Sequence, residues 1–133
     1  MRYLLDTDIV IDHLTGRQSV TQLLTQLLPE GAGMSIITFS EIYEGIYGSR
    51  EPRAAARAFA TFLTGVSVLS ISRAVAKRAA RVRLELRRQG RPLSHRALDL
   101  LIAATDLEHH LILVTRNARD YADITDLEQH PWT

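Results

Sequence analysis

Tyr3-Leu4-Leu5-Asp6-Thr7-Asp8-Ile9-Val10 is the stretch that decides the fold. Three largely apolar residues run straight into a carboxylate. A second carboxylate follows two positions on, and apolar residues resume after it. This reads as a short buried strand that stops at Asp6, with a helix starting within a residue or two. In open α/β sheets, ligands sit just beyond the carboxyl ends of the strands, so Asp6 marks the place for a site. Asp and Thr are also favoured helix N-caps. On this stretch alone a cap and a site are evenly balanced.

Working outward, Val20, Leu23, Leu24 and Leu27 keep helical spacing. Pro29-Glu30-Gly31-Ala32-Gly33 breaks that helix. Met34-Ser35-Ile36-Ile37 reads as a second strand, and Thr38-Phe39-Ser40-Glu41 opens a helix to about Gly48. Glu51-Pro52 starts another, with Ala55, Ala58, Phe59, Phe62 and Leu63 on its apolar face and Gly65 at its end. Val66 to Ile71 reads as a third strand, and Ser72 caps a long helix with the core stripe Val75, Ala79, Val82 and Leu86. Gly90-Arg91-Pro92 ends it, and a helix beginning at Ser94 or His95 runs to about His109. Leu111-Ile112-Leu113-Val114 is the fourth strand, and Ile124 to Leu127 suggests a short fifth.

Strands alternating with helices predict an α/β fold with a mostly parallel sheet and right-handed crossovers. The sheet has four or five short strands and lies between helical layers. The 133 residues carry no linker-like segment, repeat or low-complexity tract, so one domain over 1–133 is expected. There is no cysteine. Disulfides, a cysteine nucleophile and a thiolate zinc site are therefore excluded. No signal peptide and no apolar run of membrane-spanning length is present, which predicts a cytoplasmic protein with no membrane association. Of the 16 basic residues only Lys77 is a lysine. The arginines crowd into Arg73 to Arg88, a pattern that suits phosphate but also an ordinary solvated helix face.

The acids fall in a telling pattern. Asp6 ends the first strand, Glu41 follows the second, and Asn117 and Asp120 follow the fourth. The carboxyl ends of parallel strands share one edge, so these groups can converge. Each has a plainer reading. Glu41 completes a capping box with Thr38, and Asn117 and Asp120 suit a turn. Asp99 is harder to dismiss. It lies within Ala97-Leu98-Asp99-Leu100-Leu101-Ile102-Ala103-Ala104, where a partly buried carboxylate is costly unless paired or metal-bound. His95, one turn earlier, reads as a solvated or capping histidine. Carboxylates gathered in one crevice raise each other's pKa, and a hard divalent cation removes the conflict. Mg²⁺ or Mn²⁺ suits this oxygen set, and zinc does not.

At this point four ordered segments carry a resemblance. Leu4-Leu5-Asp6-Thr7-Asp8, Thr38-Phe39-Ser40-Glu41-Ile42, Asp99 to Ala104 and Leu113-Val114-Thr115-Arg116-Asn117-Ala118-Arg119-Asp120-Tyr121 resemble the motifs of the PIN-domain family. More narrowly, they resemble its VapC toxins of toxin–antitoxin pairs. The resemblance covers essentially the whole chain and implies a three-layer α/β/α PIN-like fold. It implies an endoribonuclease dependent on Mg²⁺, with Mn²⁺ as a substitute, generally dimeric and held inactive by a VapB-type antitoxin. Asp6, Glu41 and Asp99 become the acidic metal-binding and catalytic core. The fourth family position falls on Asn117, with Asp120 three residues on, which leaves the fourth ligand open between them. Thr7, Asp8 and Thr115 become neighbours that orient ligands or water. The segment Leu93-Ser94-His95-Arg96 departs from the small or apolar residues of the family pattern, which brings His95 towards substrate without deciding for it.

The implied mechanism has Asp6 and Asp99 holding Mg²⁺ and Glu41 holding or orienting the attacking water, with in-line attack on an RNA phosphodiester. Arg116 and Arg119, next to the site, are the arginines placed for phosphate contact. Apolar residues of the first two helices and of the Phe59/Phe62 helix offer a groove for an antitoxin helix, or simply core. Two other functions compete. Asp6-Thr7-Asp8 matches the opening Asp-x-Asp of haloacid-dehalogenase-like phosphatases, with Asp6 as nucleophile and Asp8 as acid/base. However, the only lysine is Lys77, and no acidic pair follows a later strand. A non-catalytic PIN-like or receiver-like binding module is the third reading. Retention of Asp6, Glu41 and Asp99, and the lack of an Asp at Ser70-Ile71-Ser72, count against it.

Overall fold

The computed structural model describes residues 1–131. Strand β1 (Tyr3–Leu5) is buried at every residue, as a central parallel strand must be. Helix α1 (Thr7–Leu14) begins immediately after it, with Asp6 as N-cap. Helix α2 (Gln18–Leu27) buries Val20, Leu23, Leu24 and Leu27, the expected stripe. A 3₁₀ turn over Leu28–Glu30 leads to Gly31, whose φ is +90°. The Gly31 carbonyl accepts from the backbone N–H groups of Arg2 (2.9 Å) and Tyr3 (3.1 Å). A Cβ at Gly31 would lie 2.9 Å from the Met1 Cα, so both conformation and space call for glycine.

Strand β2 is Ala32–Ser35, two residues earlier than Met34–Ile37. The Ser35 hydroxyl accepts from the Ile37 N–H (3.0 Å) and turns the chain into helix α3 (Ile36–Tyr47). Gly33, which reads as a breaker, instead allows close strand packing, because a Cβ there would sit 3.2 Å from the Ser67 carbonyl. The expected capping box at Thr38 therefore does not form, since Thr38 to Glu41 already lie inside α3. Helix α4 (Pro52–Leu63) places Phe59 fully in the core. Strand β3 is only Ser67–Leu69. Helix α5 (Arg73–Arg88) is capped by Ser72, whose hydroxyl accepts from the Val75 N–H (3.1 Å), and it buries Val75, Ala79, Val82 and Leu86. Helix α6 (Ala97–Glu108) starts after, not at, Ser94 or His95. His95 has a φ of +62°, a left-handed conformation that no α-helix continues through. Strand β4 is Ile112–Val114. The fifth strand expected over Ile124 to Leu127 does not form. Asp126 has a φ of +68°, outside the extended region, and the chain makes only one parallel bridge to the sheet, Leu113 to Gln129.

The four strands lie in the order β3-β2-β1-β4, all parallel. Side chains alternate across the sheet. Tyr3 and Leu5 pack into a core with α1 to α4, including Ile9, Leu24, Ile42 and Phe59. Leu4 faces the other way, with Leu86, Leu100, Ile102 and Leu113 under α5 and α6. The expected three-layer α/β/α arrangement is thus present, with four strands. From β1 the order runs to β2 and β3 on one side and to β4 on the other. A crevice opens at such a reversal, beyond the carboxyl ends of β1 and β4. Among the described residues, no helix is long and apolar enough to cross a membrane.

Candidate active site

Asp6 stands at the switch point, 5 % exposed. It caps α1 and also occupies the strand end where a site is expected. Its Oδ1 accepts from the Thr7 N–H (2.9 Å), while Oδ2 accepts from the Thr115 hydroxyl (2.7 Å) and the Tyr121 hydroxyl (3.2 Å). Thr115 ends β4, so two adjacent strand ends share one hydrogen bond. Burial pushes the Asp6 pKa up, its hydrogen bonds work against that, and the charge of Asp120 adds to the rise.

Glu41 enters from the second turn of α3. Its Oε1 accepts from the Thr7 hydroxyl (2.6 Å), and the Thr7 and Thr38 hydroxyls lie 3.0 Å apart. One threonine thus fixes both acids, through its N–H to Asp6 and its hydroxyl to Glu41. Asp99 sits in the first turn of α6. Burial raises its pKa most, followed by the charges of Asp6, Asp120 and Glu41. Asp99 thus feels the charges of the other three acids, and Asp6 feels that of Asp120. Among the described residues, no arginine, lysine or histidine forms a salt bridge to any of them.

Asn117 and Asp120, the two candidates for the fourth position, face different partners. The Asn117 amide donates to Asp8 Oδ2 (2.9 Å), so Asn117 props Asp8, whereas the charge of Asp120 bears on both Asp6 and Asp99. Asp8 also accepts from the Arg116 N–H (3.0 Å). Burial and the neighbouring Asp6 push its pKa up to about 6, and its Oδ1 is buried without a partner.

Arg116 is placed otherwise than for RNA. Its guanidinium grips Asp12, with Nε 2.6 Å from Oδ2 and Nη2 3.3 Å from Oδ1, and so ties the loop after β4 to α1. Sequence reasoning missed Asp12, Tyr121 and the pair Arg96–Asp123. Asp12 lies four residues after Asp8, a spacing that shares a helix face. Tyr121 closes the fourth of the resembling segments, but an aromatic after a turn reads as core. Arg96 donates from Nη1 to Asp123 Oδ2 (2.9 Å) and from Nη2 to Asp123 Oδ1 (2.7 Å) and to the Asp120 carbonyl (3.0 Å). This fork clamps the segment carrying Asp120 to the start of α6, and it holds the Asp123 carboxyl below the usual range.

The donor set is all oxygen and, among the described residues, in no salt bridge, and charges of one sign repel, which fits a hard divalent ion. Among the described residues, no three acidic or histidine side chains stand close enough together to hold a metal ion by themselves. An ion there would have to take much of its coordination from water, as Mg²⁺ commonly does.

A model of the PIN domain matches residues 3–127. The chain belongs to the PIN-domain family. Ribonuclease VapC1 of Haemophilus influenzae (strain R2866) is 33% identical over 135 residues, covering 100% of this chain and 99% of that protein. VapBC-1 from nontypeable Haemophilus influenzae superposes with a TM-score of 0.84 at 32% identity, over 98% of this chain and 97% of that one. VapBC2 from Rickettsia felis, solved bound to a DNA fragment from their promoter, gives a TM-score of 0.89 at 24% identity over the whole of both chains. As a PIN domain, the chain uses its Asp6-Thr7-Asp8 run in a different frame from the phosphatase one. Asp8 is held by the loop after β4 rather than left free as an acid/base. PIN-domain ribonucleases are metal-dependent in general.

Proposed function

We propose that this PIN domain is a VapC-type toxin, a Mg²⁺-dependent endoribonuclease of the cytoplasm that hydrolyses RNA phosphodiesters and is neutralised by a VapB-type antitoxin. One observation supports it above all. Asp6, Glu41, Asp99 and Asp120 come from four separate segments to one neighbourhood, and among the described residues none of them is held in a salt bridge. Asp6, Glu41 and Asp99 would hold the ion, with Asp120 rather than Asn117 as the fourth carboxylate and Mn²⁺ as a substitute. When bound, the ion would lower the pKa of an attacking water and offset charge developing on the phosphodiester.

The protein's own part is positioning. The Thr115 and Tyr121 hydroxyls fix Asp6 from one side and the Thr7 N–H from the other, so its carboxylate cannot swing as substrate enters. The Thr7 hydroxyl fixes Glu41 at Oε1, leaving Oε2 to accept a hydrogen bond from the attacking water. Asn117 and the Arg116 N–H keep Asp8 turned towards the loop. Arg119, exposed beside Asp120, is the arginine free to meet a phosphate.

A groove of about 280 Å³ between α1, α3 and α4 supports the partner reading. Ile11, Leu14, Ile42, Ile46 and Ala58 line it, and Glu41 stands among them. An amphipathic antitoxin helix seated there would reach the acids. Phe59 is core rather than groove. The homodimer belongs to the same reading.

The test is cleavage of RNA by purified protein in Mg²⁺ buffer, with and without EDTA, beside Asp99→Asn. Activity that EDTA abolishes, Mn²⁺ restores and Asp99→Asn lowers at least a hundredfold is expected. Equal cleavage by both proteins would overturn the assignment.

A further inference from the structure

A second cavity of about 380 Å³ opens beside the acids. Asp99 and Asp120 line it together with Arg91, His95 and Arg119. The three arginines around it are not equivalent. Arg96 is spent, its fork bound to Asp123 and to the Asp120 carbonyl. Arg91 and Arg119 are exposed and, among the described residues, form no salt bridge. His95 stays in a left-handed conformation, φ +62°, which a residue with a Cβ adopts at a cost. The clamp thus leaves Arg91, Arg119 and His95 as a cationic rim on the same cavity as Asp99 and Asp120.

We propose that this cavity is a phosphate subsite. Arg91, Arg119 and His95 seat the RNA backbone phosphate that neighbours the one cleaved, and so set which phosphodiester lies over Asp6, Glu41 and Asp99. The inference rests on the ribonuclease reading. Planar guanidinium forks match phosphate oxygens, and the His95 ring offers either a further donor or a face on which a base stacks. The acidic wall excludes a free anion, but a phosphate tethered next to a metal-held one is placed against the rim. Arg116, bound to Asp12, takes no part.

Single-stranded RNA binding loses about 0.7 of log–log salt slope for each phosphate contact removed. The measurement is fluorescence anisotropy of a labelled single-stranded RNA against KCl concentration, in Mg²⁺, on a Glu41→Gln background that prevents cleavage. Arg91→Gln and Arg119→Gln should each lower the slope by about 0.7 and weaken binding several-fold. Arg88→Gln, on the far part of α5, should leave both unchanged. On the cleavage-competent parent background, with Glu41 intact, Arg91→Gln should raise KM with little change in kcat. Parental slopes for both variants, or an equal loss in Arg88→Gln, would overturn the subsite. Loss of antitoxin binding with RNA binding retained would overturn it in favour of a protein contact. A parent chain that cleaves while the variants bind normally would sink the subsite alone. A parent that neither cleaves nor binds RNA would sink the ribonuclease reading with it.

Discussion

Asp106→Asn is expected to stabilise the protein in alkaline solution and to flatten its pH dependence. Asp106 lies on α6 far from the acids, only 1 % exposed, and its Oδ2 is buried without a hydrogen-bond partner. Burial, and secondarily the charge of Glu128, push its pKa up to about 8. The unfolded chain has an ordinary aspartate near 3.9, so the folded protein holds a proton that the unfolded chain has lost across about pH 4 to 8. Stability is therefore full below about pH 4 and falls as pH rises, until Asp106 itself ionises near 8. At about 1.4 kcal/mol per unit, the ceiling over that window is about 6 kcal/mol. Local opening and water entry relax a buried charge, so a loss of about 2 to 3 kcal/mol is the working figure. Asparagine keeps the shape and never ionises. Urea unfolding of both proteins at pH 5.5, 7 and 8.5 measures the difference. Other raised acids, such as Asp8 and Asp99, act equally in both and cancel. The variant should gain steadily on the parent as pH rises. Parallel curves, or a variant that loses ground at pH 8.5, would refute the reasoning.

Tyr121→Phe removes one donor to Asp6 and leaves the packing, so metal affinity measured by calorimetry should fall about 10- to 100-fold with thermal stability nearly unchanged. Arg116→Ala leaves Asp12, 7 % exposed, without its main partner. Because the arginine is itself 39 % exposed, the cost should be about 1 to 2 kcal/mol in urea unfolding, with the salt slope of RNA binding kept. A lost slope with unchanged stability would return Arg116 to the RNA. Gly33→Ala should destabilise by about 1 to 3 kcal/mol, since the added methyl meets the Ser67 carbonyl at 3.2 Å, and an unshifted melting temperature would count against that packing.

The elements whose signal is local were legible in the chain. Helix α5 was read with its Ser72 cap and all four core residues, because capping and 3.6-residue periodicity are properties of neighbours in sequence. The boundaries that failed depend on distant chain. Gly33 reads as a breaker until Ser67 lies against it, and Ile124 to Leu127 reads as a strand until Asp126 turns left-handed. The false capping box at Thr38 failed for a related reason, since Ser35 had already capped the helix.

The acids divide in the same way. Sequence by itself determined that the chain is an α/β domain with Asp6 at a strand end and Asp99 stranded in an apolar helix, because burial is a strong constraint on each charged residue separately. Only the tertiary structure decided the partners. It gave Arg116 to Asp12 and Asn117 to Asp8, brought Asp120 to bear on Asp6 and Asp99, and put the Tyr121 hydroxyl on Asp6 across 115 residues of chain. Those pairings follow from the strand order β3-β2-β1-β4, which sets the ends of β1 and β4 side by side. No local pattern encodes that adjacency, because it arises from the shared core that packs both strands.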